Sequence, residues 1–211
     1  MTERLGKRKP RSSHAPRQEN LGNYIIVTDT AETEQNYMYG LRNSIPEELQ
    51  RHIVIKVVKT KTVDLVNDAL YQASINPQYA EIWILFDRDQ VPNFDAIVSE
   101  AEAKGIHVGW SNPCIEIWFS AYFKQMNHYS DSVHCCKGFE KLFQDRVNQP
   151  YKKSDNKIYL KLCQYGNESE AIRLAEKKLE EQKRNGHLCP SKMNPGTTVH
   201  ELVREIRSKI K

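Results

Sequence analysis

The sequence predicts an α/β fold in which a parallel sheet of about four strands is flanked by helices. Four short runs rich in β-branched and aromatic residues alternate with segments whose apolar residues recur every three or four positions, the pattern of strands joined by right-handed helical crossovers. The central run is continuously apolar, as in a strand buried on both faces. Three runs end in polar or acidic residues, and in such sheets ligands bind beyond the carboxyl ends, where the strand order reverses.

Residues 1–20 have no apolar periodicity. They carry Arg4, Lys7, Arg8, Lys9, Arg11 and Arg17 among prolines and serines, the composition of a flexible basic tail, and Arg8, Lys9 and Arg11 are candidate contacts to a nucleic acid. Tyr24-Ile25-Ile26-Val27 predicts the first strand, which ends at Thr28-Asp29. Tyr37 and Leu41 place a helix next, with Thr30 or Thr33 near its cap and Glu32 and Glu34 in its first turn, where the helix dipole favours acids. Ile53 to Val58 is the second strand, and Val63, Leu65, Val66, Ala69, Leu70 and Ala73 form the apolar face of the second helix.

The third strand, Trp83-Ile84-Leu85-Phe86, runs into Asp87-Arg88-Asp89. Phe94, Ile97, Val98 and Ala101 predict a third helix, Gly105 its cap, and Ile106 to Trp110 the fourth strand, followed by Ser111-Asn112-Pro113-Cys114-Ile115-Glu116. Helices are expected over Ile115–Phe123 and Phe139–Val147, from Tyr159, and as an amphipathic stretch from Glu170 to Arg184. A last helix contains His200, Leu202, Val203 and Ile206, with Thr197 as its cap. The core is thus expected over residues 21–124, with a mainly helical region, 125–211, packed on it.

Composition narrows the function. The net charge of +4 over 211 residues divides into +5 for residues 1–17, −7 for 18–150 and +6 for 151–211, a distribution suited to carboxylates that hold a metal and flanks that hold a polyanion. No window has the apolar length of a membrane span and the start is basic, so the expected location is cytoplasmic, with no membrane partner. Five scattered cysteines agree with a reducing compartment, and His134-Cys135-Cys136 and His187-Leu188-Cys189 match no standard zinc spacing. No phosphate-binding glycine-rich loop with its lysine is present, so nucleotide hydrolysis is not indicated.

The chemistry centres on Asp87 and Asp89. Side chains one residue apart return to the same side of an extended segment, so both carboxylates are expected to reach one point. Hard divalent cations such as Mg²⁺ are held by such oxygen pairs together with substrate phosphates. Asp29, Asp87, Asp89 and Glu116 should converge on one sheet edge as metal ligands, because like charges that close repel unless a cation is present.

A strand ending in an acid and another ending in Asp-x-Asp, within four parallel strands, resemble the Toprim domain of topoisomerases, primases and related nucleases. Thr33-Glu34-Gln35-Asn36-Tyr37, Phe86-Asp87-Arg88-Asp89, Ser111 to Trp118, Tyr151-Lys152-Lys153 and Asn194-Pro195-Gly196-Thr197-Thr198-Val199-His200 resemble, more narrowly, the RloB-like family of small Toprim proteins from prokaryotic antiviral and restriction-linked loci. The resemblance implies a Toprim-like sheet and an Mg²⁺- or Mn²⁺-dependent nuclease acting on RNA, with tRNA as the expected substrate, alongside a defence partner protein or as an oligomer. Asp29, Asp87, Asp89 and Glu34 would be catalytic, while Arg88, Lys152, Lys153 and His200 would contact the nucleic acid. One departure stands out: the family usually shows Cys-Glu-Gly after its first strand, and this chain has Thr28-Asp29-Thr30. A degenerate, non-catalytic binding module and a DNA nuclease are the alternatives.

Overall fold

In the computed structural model, which describes residues 21–29, 31–58, 60–89 and 91–210, the four predicted runs form parallel strands. They are β1 (Tyr24–Thr28), β2 (Ile53–Val57), β3 (Glu81–Asp87) and β4 (His107–Asn112). A fifth strand, β5 (Gly196–Thr197), joins them antiparallel to β4, and the sheet order is β2-β1-β3-β4-β5. Two residues are too few to show a strand's alternation in a sequence, and Asn194-Pro195-Gly196 reads there only as a breaker.

The described residues include nine helices: α1 (Thr33–Asn43), α2 (Glu47–Gln50), α3 (Leu65–Ser74), α4 (Phe94–Ala103), α5 (Glu116–Ala121), α6 (Ser132–Val147), α7 (Ile158–Tyr165), α8 (Glu168–Arg184) and α9 (Val199–Ser208). Because strand side chains alternate, each central strand feeds two core layers. Ile25, Val27, Ile84 and Phe86 pack under α3 and α4 through Leu65, Val66, Ala69, Phe94, Ile97 and Val98. Tyr24, Ile26, Trp83 and Leu85 face the opposite layer, where α1, α5, α6, α7, α9 and part of α8 lie. That second layer is continuous from Leu21 to Ile206, so the expected helical region 125–211 shares both the sheet and the core with residues 21–124. No helix among the described residues is long and apolar enough to cross a membrane.

Two threonines stitch α9 to β4. Thr197, expected as the cap, lies in β5; its hydroxyl donates to the Trp110 carbonyl at 3.0 Å and accepts the Val199 N–H at 3.2 Å. Thr198 occupies the cap position, accepts the Trp110 N–H at 2.9 Å and donates to the Val108 carbonyl at 2.6 Å. Residues that end the helical region therefore fix the strand that leads to Glu116.

Candidate active site

The chain leaves β1 for β2 on one side and then crosses back to β3 on the other, so β1 and β3 form the point where the strand order reverses. The register sets Thr28 beside Leu85 and Asp87 beside Ser111. Beyond these strand ends lies a cleft of about 400 Å³ lined by Asp29, Glu32, Glu34, Asp87, Asp89 and Glu116, with Lys153 at its side. A separate cleft of about 440 Å³ beside Trp110, Leu179 and Glu201 holds none of the predicted site residues.

Asp87 is the last residue of β3. Burial first, then the charges of Glu34 and Glu116, push its carboxyl pKa well above the usual range, against the Ile115 N–H and Lys153. Asp29 follows β1 directly, and its Oδ2 accepts the Thr62 hydroxyl at 2.5 Å. Burial raises its pKa too, with the Thr62 hydrogen bond opposing. Glu34 lies in the first turn of α1 and is buried.

Asp89 reaches the cleft by a different route from the one the sequence suggests. The strand ends at Asp87, and the chain turns as the Arg88 N–H donates to the Ser111 carbonyl at 2.8 Å and the Asp89 N–H to the Pro113 carbonyl at 3.0 Å. Asp89 takes a positive φ of 27°, on the side of backbone space that Asp and Asn enter more readily than most residues. Its Oδ1 accepts the Ser132 hydroxyl at 2.5 Å. A turn clamped to the segment after β4, rather than strand alternation, brings the second carboxylate to the cleft.

Glu116 opens α5 and is 1% exposed. Its Oε1 accepts the Tyr151 hydroxyl at 3.0 Å and lies 3.8 Å from the Lys153 ammonium. Its Oε2 is buried with no hydrogen-bond partner. An orphaned buried oxygen of this kind costs about 1–3 kcal/mol, more when charged. A cation among these carboxylates would satisfy it, and an all-oxygen lining suits Mg²⁺ or Mn²⁺.

The remaining predicted contacts are placed unevenly. Lys153 borders the cleft; desolvation is the largest influence and opposes its charge, but Glu116, Cys136, Cys114 and Asp87 together outweigh it and the ammonium pKa is raised. Lys152 lines a separate groove with Asp155 and Lys161. Arg88 donates to the Asp89 carbonyl and lines a neighbouring groove with Ser132 and Asn194. His200 departs from its expected role as a nucleic-acid contact. It is 2% exposed, bonds the Thr197 carbonyl through Nδ1 at 2.9 Å and lies 6.5 Å from the Trp118 ring. Burial pushes its pKa down to about 4, so it is a neutral core group. Arg8, Lys9 and Arg11 lie outside the described residues.

Thr62, Glu32 and Tyr151 join the site without having been assigned to it from the sequence. Thr62 was legible in principle, since the polar run after the second strand belongs on the same sheet edge. Tyr151 stood within the quoted Tyr-Lys-Lys motif, where only the lysines drew a role.

A family model described as RloB-like protein matches residues 24–206. The chain belongs to the RloB-like family. No curated protein and no solved structure matches it. The RloB-like match begins in β1 and ends in α9, and so takes in every residue of the acidic cleft.

Proposed function

We propose that this RloB-like protein is an Mg²⁺- or Mn²⁺-dependent nuclease that cleaves RNA, of which tRNA is the favoured class, within an antiviral defence system. The observation that carries the metal-dependent reading is the orphaned Oε2 of Glu116 among carboxylates at the switch point of the sheet. Asp29, Asp87, Asp89 and Glu116 would hold the ion, with Glu34 beside them. When bound, a divalent ion there supplies charge stabilisation for a phosphoryl transition state and a more acidic water. Asp87, whose burial favours its proton, would hold the ion as the deprotonated carboxylate. Lys153 adds a positive charge at the rim, where a phosphate backbone is held by charge. Preference for RNA and the defence role rest on the family resemblance.

The test is incubation of the protein with total tRNA, other structured RNA and duplex or single-stranded DNA in Mn²⁺, with and without a chelator. Fragments of RNA that require metal and vanish in Asp87→Asn are the expected result. Cleavage of DNA alone moves the assignment to a DNA nuclease. Specific RNA binding without any cleavage favours a second reading, a non-catalytic binding module. That reading draws on Asp29, which stands where the family usually carries glutamate and is already engaged by Thr62.

A further inference from the structure

We infer that Cys114, Cys136 and Glu116 form a site for a thiophilic divalent ion of the zinc class, distinct in donor chemistry from the carboxylate cleft it adjoins. Cys114 lies in the segment between β4 and α5, two residues before Glu116, and Cys136 in the second turn of α6. One donor atom from each of the three lies within 4.8 Å of the others. The two sulfurs are 3.9 Å apart. Tetrahedral zinc with sulfurs at about 2.3 Å requires a separation of about 3.8 Å, so the thiols already stand near the spacing of metal ligands.

The third donor carries the same unsatisfied oxygen that borders the carboxylate cleft. Glu116 is 1% exposed and its Oε2 has no partner, so the third donor is an unsatisfied buried carboxylate and not a surface acid. Two sulfurs and one oxygen are the wrong set for Mg²⁺, which takes oxygen donors, and the right set for zinc or its analogues. Three protein donors leave a fourth position for water, the pattern of an exchangeable site rather than a closed structural one. Glu116 would then be the shared element: a soft ion bound to the thiolates takes this carboxylate away from the hard-ion cleft.

Cobalt titration of the full chain, kept reduced with a phosphine and carrying Cys163→Ser and Cys189→Ser to remove the exposed thiols, tests the site optically. One equivalent of Co²⁺ should produce near-ultraviolet sulfur-to-metal charge-transfer absorption and the strong visible bands of tetrahedral coordination, both displaced by Zn²⁺. Cys114→Ser and Cys136→Ser should each abolish the charge-transfer absorption, and Glu116→Gln should weaken binding at least tenfold. Cys136 is partly exposed and decides the matter if Cys114→Ser does not fold. A weak octahedral spectrum without charge transfer, or a signal that survives Cys136→Ser and disappears in Cys135→Ser, overturns the assignment. The readout needs no cleavage, so this inference and the nuclease reading can fail separately.

Discussion

At the scale of single residues, burial sets opposite pH behaviours for two side chains. The folded-state pKa of His200 is depressed to about 4 from the ordinary 6.5. Between these values the unfolded chain binds more protons, so stability rises with pH across this window and is lost as pH falls through it. The loss should be on the order of 3 kcal/mol, and His200→Gln should flatten the slope of denaturation midpoints between pH 6.5 and 4; an unaltered slope would place the titrating group elsewhere. Asp87 has the reverse sign. Its raised pKa means that the metal-free fold loses stability as pH climbs above the usual carboxylate range, because a crowded charge must form. Asp87→Asn should therefore raise the melting temperature of metal-free protein at neutral pH, by about 2–4 °C for each kcal/mol relieved, while removing the stabilisation that Mn²⁺ gives the wild type. Equal Mn²⁺ stabilisation in both proteins would exclude Asp87 as a ligand. If the nuclease reading holds, Asp29→Glu should speed RNA cleavage in the tRNA assay, since about an ångström of misplacement costs on the order of a hundredfold; an unchanged rate would count against a metal-holding role for this position.

At the scale of elements, α1 and α7 meet at a position that tolerates no side chain. A Cβ on Gly40 would stand 2.3 Å from the Tyr159 Cβ, at the root of that side chain. Tyr159 is held in place by hydrogen bonds to Glu168 and Arg207, and Arg207 in turn pairs with Glu168 at 2.7 Å. With little freedom to move away, Gly40→Ala should cost about 1–3 kcal/mol, read as a lower denaturant midpoint; an unchanged midpoint would show that α7 shifts freely. The elements that carry long apolar patterns were legible in the sequence: all four parallel strands, and the helices whose faces are marked by Leu65-Val66-Ala69 or Phe94-Ile97-Val98. What escaped was non-local. The turn at Asp89 is set by the carbonyls of Ser111 and Pro113, and Cys114 meets Cys136 across 22 positions, a proximity that no cysteine spacing encodes. His200 belonged to a recognisable motif, but its burial comes from packing against Trp118, which the motif does not express.

At the scale of the whole molecule, the boundary expected near residue 124 divides a single core. Val199, Leu202, Val203 and Ile206 pack in the same layer as Tyr24 and Trp83, and β5 completes the sheet. A fragment of residues 21–124 should accordingly lack a dispersed amide spectrum, whereas the full chain should unfold in one transition; a well-dispersed fragment would show that residues 21–124 fold without the helical region. Asp29, Asp87, Asp89 and Glu116 were expected at this sheet edge because each ends or follows a predicted strand; Glu32 was not, nor was the support of these groups, which arrives from residues far along the chain. The same connectivity has a meaning in time. Ser111 and Thr197 are 86 positions apart, which at ordinary rates of synthesis is a delay of roughly 4 to 17 seconds. Until residues 196–208 have been made, β4 lacks the outer strand partner and the threonine bonds that β5 and Thr198 provide. On the nuclease reading, the carboxylates are therefore made well before the strand that completes their edge of the sheet.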